Sequence, residues 1–336
     1  MSSSPPGESA VGPVIEADTS DRSDTDSALD VQSLGSDSES ITSSILRFRH
    51  ENGRTYHAYK EGSYVLPNDG AEIERLDLQH NIVLLTLGGK LHLAPIGEDG
   101  RHVSRVLDAG TGTGIWAMDF ADEHPEAHVI GIDLSPIQPS FVPPNVGFYV
   151  DDLEAEWSYT APFDFIYVRT LAGSLKEWPK LYRQAYDNLS PGGYIELFEP
   201  NYPIGSDDNS LPADSALLRW SRLWQEGAAK SGLQLLTAEQ HKAVLEQTGF
   251  VNIVERNFKW PLNTWPKDPK YKELGSWVYE VTSSGLQAMT MALFTRVLGW
   301  SAEAVELFLV DVRKDVGNRR YHAYWSIFVL YAQKPA

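Results

Sequence analysis

The sequence predicts an α/β protein whose core is an open parallel sheet covered by helices on both faces. Three observations carry this. From residue 104 onward, short apolar runs alternate with helical patterns. A glycine cluster, Gly110-Thr111-Gly112-Thr113-Gly114, separates the first such run from a helical pattern. A carboxylate, Asp133, closes the next apolar run 19 residues after Gly114, where doubly wound folds grip a ribose diol.

The elements follow in order. Ile73, Leu76, Val83 and Leu87 fall at helical spacing across 72–87, and Gly88-Gly89 supplies a stop. Strands are expected at 104–108, 128–133, 147–150, 163–168 and 194–198. Helices are expected at 115–122 and 176–189. The second half is more helical. Leu217, Trp220 and Trp224 form one apolar stripe, and 238–248 is a helix closed by Gly249. A strand follows at 251–258, then two or more helices over 271–316, and a last strand at 321–333.

Composition excludes several classes. The chain has 336 residues, 42% apolar and 22% charged, enough for a sizeable core. Its net charge of −18 opposes a nonspecific grip on nucleic-acid phosphates, so no direct nucleic-acid partner is expected. With no cysteine there is no disulfide framework, no thiolate metal site and no cysteine nucleophile. No His or carboxylate cluster has metal spacing, so no metal is expected. No apolar run reaches the ~20 residues that span a membrane, and no secretory signal is visible, which predicts a soluble intracellular protein, cytoplasmic by default.

Residues 1–45 hold thirteen Ser, nine acidic residues and one Arg, with no aromatic before Phe48. They read as a disordered acidic tail that serves solubility or carries a phosphorylated or partner-binding segment. Residues 46–100 read as a helical lid segment and 101–336 as the main domain. Within it, about 206–248 and 265–318 are helical insertions that shape a substrate site.

The glycine loop decides the chemistry. Glycines allow positive φ and close approach of backbone amides to a ligand. A dinucleotide loop wants a third glycine at 115, which is Ile115. Here the spacing is GxGxG, and Asp108 stands two positions before the first glycine. A carboxylate there opposes a pyrophosphate but can bind an ammonium group. S-adenosylmethionine carries an ammonium and a sulfonium and no phosphate, so the residues favour it over NAD. No Walker A pattern is present.

The stretch VLDAGTGTGIWAMDFADEHPEAHVIGIDLSPIQP resembles the class I S-adenosylmethionine-dependent methyltransferases. More narrowly, it resembles the fungal methyltransferases related to the LaeA regulator of secondary metabolism. EGSYVLPNDGAEIERLDLQH, DDLEAEW, FDFIYVRTLAGSLKEWPKLYRQAYDNLSPGGYIELFE and YHAYWSIFVLYAQKP match that group too. The resemblance covers about 47–335 and is weakest over 205–320. It implies a Rossmann-like, seven-stranded sheet whose last strand is antiparallel. It also implies that Asp108, Gly110, Thr111, Gly112 and Gly114 hold the methionine end, and that Asp133 takes the ribose hydroxyls, with Leu134 and Gln138 nearby. Asp151, Asp152 and Leu153 would meet the adenine, and Arg169 would lie near the cofactor. Tyr64–His80 would pack over it as a lid. The implied activity is methylation of an O or N atom on a small molecule of secondary metabolism. The alternative is a LaeA-like nuclear regulator acting with velvet-type partners.

A base is needed only if the acceptor must lose a proton. His80, Glu199 and Tyr202 are the candidates. Glu196 and His322 read as structural. Trp220, Trp224, Trp277 and Trp300 lie in the variable part, as core or as an aromatic wall for a planar substrate.

Overall fold

The computed structural model describes residues 14–18, 48–57, 59, 65–98, 100 and 102–336. A hairpin, β1 (Arg49–Glu51) and β2 (Arg54–Tyr56), opens the main body. Strands of three residues show no alternation, so the hydrophobic pattern does not reveal them. Their turn is Asn52-Gly53, both at positive φ, a known hairpin signal. Helix α1 (Gly70–Leu87) is capped by Asp69, whose side chain accepts from Glu72 N–H. It ends where Gly88 turns left-handed, at φ 67°.

The sheet then builds in the expected order. It comprises β3 (Arg105–Ala109), β4 (His128–Asp133), β5 (Val146–Val150), β6 (Phe163–Arg169), β7 (Leu189–Gly205), β8 (Val251–Pro261) and β9 (Tyr324–Gln333). The seven strands lie in the order β5-β4-β3-β6-β7-β9-β8. The first four neighbour pairs are parallel. The last strand in the chain, β9, runs antiparallel to both β7 and β8. The helices are α2 (Ile115–Glu123), α3 (Trp178–Asn188), α4 (Ala216–Lys230), α5 (Ala238–Thr248), α6 (Pro269–Arg296) and α7 (Ala302–Val316).

Period-2 alternation places successive residues of each strand on opposite faces. Val106, Val129 and Phe165 pack with Trp116 and Phe120 of α2 on one face. Leu107, Ile130 and Ile166 pack with Leu181 of α3 and Leu245 of α5 on the other. A third core joins α1, α4, α6 and α7 to the far ends of β7–β9. It forms the helical additions expected from the second half. Among the described residues, no helix is long and apolar enough to cross a membrane.

The expectation of an unstructured tail over 1–45 is corrected for residues 14–18; the rest of it lies outside the described residues. Ala17 bridges Pro266, Asp18 N–H donates to Trp265 O at 2.7 Å, and Lys267 N–H donates to Glu16 O at 2.7 Å. The Asp18 carboxylate pairs with Lys272 and lies 3.7 Å from Arg319. A composition argument fails here because three cations of the folded domain, Lys272 and Arg319 at Asp18 and Lys267 at Glu16 (3.2 Å), attract this short acidic stretch.

Two carboxylates lie inside β7. Glu196 accepts the amides of Leu93 and Ala94, and Glu199 those of Leu171 and Ala172. Burial lifts each from 4.5 to about 8. Burial moves His92 from 6.5 down to about 4 and His241 down to about 3. A raised carboxylate binds its proton more tightly folded than unfolded, so stability falls as pH rises between the two values. The lowered histidines act oppositely, but only below 6.5. From pH 6.5 to about 8 the carboxylates therefore dominate these terms. The thermal unfolding midpoint is expected to fall across that window, with a shallower slope in Glu196→Gln. A midpoint that rises there refutes the assignment.

Candidate functional site

The glycine loop leaves β3 with Gly110, Gly112 and Gly114 at φ 78°, 56° and 81°. Gly110 N–H and Thr111 N–H both donate to Ile132 O at 2.9 Å, which ties the loop to the end of β4. The two carboxylates flanking it have different tasks. Asp108 is buried behind the loop and accepts from Thr111 Oγ1 at 2.5 Å. Burial raises its pKa to about 6, against the pull of nearby Arg169. Asp133 ends β4 and accepts from Gly112 N–H through Oδ2 and from Ser135 N–H through Oδ1, each at 2.9 Å. Its pKa is raised by burial despite those donors.

A cavity of about 780 Å³, counting its open mouth, lies at the C-terminal edge of the parallel strands. Gly110, Gly112, Asp133, Leu134, Asp151, Asp152, Leu153 and Arg169 line it. A smaller recess adjoins it over Gly110–Thr113, with Gln79 and Arg169 on its wall. Nine of the twelve residues expected at the cofactor thus face one of these spaces. The other three do not. Asp108 braces Thr111. Gly114 starts α2, and a Cβ there would sit 2.3 Å from the Phe148 ring. Gln138 donates through Nε2 to Gly112 O at 2.6 Å and to Ser135 O at 3.0 Å, so it braces the loop from behind.

Arg169 is the cation in this acid-lined space. Among the described residues it forms no ion pair; its Nη1 donates to His80 Nδ1 at 2.9 Å. An arginine can only donate, so Nδ1 accepts and the ring proton sits on Nε2. That nitrogen donates to Asp119 Oδ2 at 2.9 Å. His80 is fully occupied in holding Arg169 and does not face the cavities as a base.

A third cavity, about 870 Å³ with its mouth, lies beside the first two. Its walls are Tyr202, Trp224, Trp260 and Trp325 with aliphatic side chains from α1 and α6. Tyr202 stacks on Trp224 at 4.9 Å and 3°. Of the four tryptophans considered from the sequence, only Trp224 reaches this wall. Trp220 is in the core, bonded to Thr290, Trp300 packs on Phe294 and Phe308, and Trp277 is exposed. Trp260 and Trp325 were not singled out; they pair directly across β8 and β9. Leu76 and Thr170 line all three cavities. Neither has a sequence signal beyond its neighbours, Leu76 in α1 and Thr170 just after Arg169.

The remaining base candidates change role. Glu199 lines none of the three cavities; its Oε1 accepts Leu171 N–H at 2.7 Å and its Oε2 accepts Ala172 N–H at 2.9 Å. Tyr202 faces the third cavity, but burial and the nearby Glu199 charge push its hydroxyl pKa up, so it stays protonated. His322 pairs with Asp208 at 2.5 Å, away from the cavities. Glu196 is a structural anchor, as expected. Tyr64, the expected start of the lid, lies outside the described residues; α1 contributes Leu76 and Gln79 to the cavities.

Comparison with known proteins gives the family. Residues 84–255 match a family model described as a methyltransferase domain. The chain is 43% identical over 310 residues to the methyltransferase pytC of Aspergillus terreus, covering 91% of this chain and 95% of that one. It is 38% identical over 289 residues to the secondary metabolism regulator LAE1 of Cochliobolus heterostrophus, covering 85% and 94%. It is 34% identical over 301 residues to the probable methyltransferase tdiE of Emericella nidulans, covering 88% and 92%.

The loop geometry separates two glycines experimentally. At Gly112 an added Cβ would meet only Leu76 Cδ1, at 3.7 Å, so Ala there bears left-handed strain alone. Gly112→Ala is expected to cost about 1–2 kcal/mol. Gly114→Ala adds the collision with Phe148 and is expected to cost about 2–5 kcal/mol. Urea unfolding checks the order; equal losses contradict the packing described.

Proposed function

The chain belongs to the methyltransferase family of these fungal proteins, and from that premise we propose that it methylates a small, largely apolar molecule of secondary metabolism, using S-adenosylmethionine. The observation that carries this is the meeting of an acid-lined cavity and an aromatic-walled cavity at Leu76 and Thr170. The donor set fits that cofactor. Asp133, Asp151, Asp152 and Glu154 line the first cavity against Arg169, a balance that repels phosphates and suits a sulfonium and an ammonium. Asp133 would take the ribose hydroxyls, Asp151, Asp152 and Leu153 the adenine, and Arg169 the methionine carboxylate. When bound, the cofactor supplies a methyl group: the acceptor's lone pair bonds the carbon, the carbon–sulfur pair returns to sulfur, and the acceptor's proton leaves to solvent.

The protein's share is placement. His80 fixes Arg169, and Thr113 Oγ1 donates to Asp77 Oδ1 at 2.7 Å, which fastens the glycine loop to α1. The aromatic wall orients a flat acceptor. Among the described residues no carboxylate or histidine lines the third cavity, which favours an acceptor nucleophile that sheds its proton without a protein base.

The relationship to LAE1 supports a second reading, a regulator acting with a velvet-type partner, in the nucleus, on a protein acceptor. The two separate in one assay, with methyl-labelled S-adenosylmethionine, fractionated fungal extract and Asp133→Ala as the blank. Label entering the organic phase is expected; label held on protein favours the regulator. In calorimetry, Gly112→Arg is expected to weaken cofactor binding at least ~100-fold, because its side chain fills the recess. Tyr202→Phe is expected to keep turnover within about tenfold, since losing a general base costs more. A larger fall would make Tyr202 the base after all.

A further inference from the structure

Thr170 follows β6 and, with Leu76, borders all three cavities. Its backbone is left-handed, at φ 52°. Among the described residues, the other non-glycine positions with positive φ are Asn52, Asn209 and Asn252. Asparagine enters this region readily, and a β-branched residue does not.

The surroundings enforce the conformation. Thr170 N–H donates to Phe198 O at 2.9 Å, continuing the β6–β7 ladder by one bond. The next two amides are bound by the Glu199 carboxylate at 2.7 and 2.9 Å. Gly173 then backs onto Trp224 so closely that a Cβ would lie 2.3 Å from the ring. A glycine at 170 would satisfy the same backbone without strain, so the side chain is what the strained conformation serves. Thr170 is half-buried, and among the described residues its hydroxyl makes no hydrogen bond. Nearby, Gln79 Oε1 accepts from Arg75 Nη1 at 2.9 Å and Arg75 pairs with Glu72 at 2.7 Å, whereas Gln79 Nε2 and the Tyr202 hydroxyl, on the same walls, make no hydrogen bond among the described residues.

We propose that Thr170 orients the methyl acceptor, its hydroxyl accepting the hydrogen bond of the acceptor's O–H or N–H at the junction of the cavities. This rests on the methyltransferase reading above. The hydroxyl removes no proton. It holds the nucleophile so that its lone pair faces the cofactor cavity, and the loop's strain keeps that direction fixed.

Three variants test it. Thr170→Val keeps shape and branching and deletes the hydroxyl. Thr170→Ser keeps the hydroxyl, and Thr170→Gly relaxes the backbone. Each is measured for S-adenosylmethionine affinity by calorimetry, for thermal unfolding, and for label transfer into the organic-extractable fraction of fungal extract. The Val variant is expected to hold cofactor affinity within about threefold and lose transfer at least tenfold, roughly. The Ser variant is expected to transfer within about threefold of the wild type. The Gly variant is expected to unfold at or above the wild-type temperature. Wild-type transfer by the Val variant, lost cofactor affinity in it, or a lower unfolding temperature for the Gly variant overturns the proposal. A wild-type protein that binds the cofactor but labels nothing in the organic phase overturns the small-molecule reading, and this role with it.

Discussion

The site depends on one buried carboxylate. Glu199 lies in the middle of the sheet, where an ion is costly unless hydrogen-bonded. Both its oxygens take backbone amides of the loop after β6. That loop is the hinge between the two halves of the site. Leu171 packs against Gly110 so tightly that a Cβ there would lie 2.6 Å from Leu171 Cδ2. Two residues on, Gly173 leaves just enough room for Trp224 on the acceptor wall. A single loop thus sets both the glycine loop and the aromatic wall, and Glu199 sets the loop. Burial raises its pKa, which is the cost of placing that anchor in the core.

A second constraint is electrostatic. The first cavity gathers four carboxylates around one guanidinium. A charge-neutral partner, His80, holds that guanidinium in place, so its positive charge is not spent on a protein carboxylate. Asp119 fixes the tautomer that lets the imidazole accept. The arrangement keeps Arg169 aimed and available for an anion. Surrounding acids discourage a phosphate, which carries more charge than one guanidinium can offset. A zwitterionic amino acid with an added cation matches the field better.

The sheet and its helices were legible because apolar runs and glycine punctuation are local signals. Strand 128–133 and helix 238–248 were placed to the residue. The long β7 was not: its 17 residues contain Pro191, Gly192, Gly193, Pro200 and Pro203, which read as breaks. Antiparallel pairing to β9 carries the strand on past Pro200 to Asn201, then resumes at Gly205. That extension places Tyr202 within the strand and on the cavity wall, whereas the sequence reading ended the strand at 198. The glycine loop was legible by composition, but not which of its neighbours face the ligand. Asp108, Gly114 and Gln138 sit in the motif and yet turn away, because a motif also includes the residues that brace it. The acceptor wall escaped because Trp260 and Trp325 come together only through β8–β9 register, a contact 65 residues apart in sequence.

That distribution follows from the chemistry. The first cavity is lined mostly by groups on β3, β4, β5 and β6 and the loops after them, close in sequence. The aromatic-walled cavity is lined by α1, α6 and the ends of β7, β8 and β9, drawn from opposite ends of the chain. In-line transfer from a sulfonium asks little of the protein beyond distance and direction. A wall of large, rigid rings supplies direction at small entropic cost, because an aromatic side chain has few rotatable bonds. A base would add a charged group to an apolar cavity and would need its own partner. Among the described residues the cavity shows no carboxylate or histidine, so on the proposed reading its selectivity comes from shape and from the few polar groups at its junction with the first cavity. Those groups are therefore where changes in acceptor would be read, while the glycine loop and its braces stay as they are.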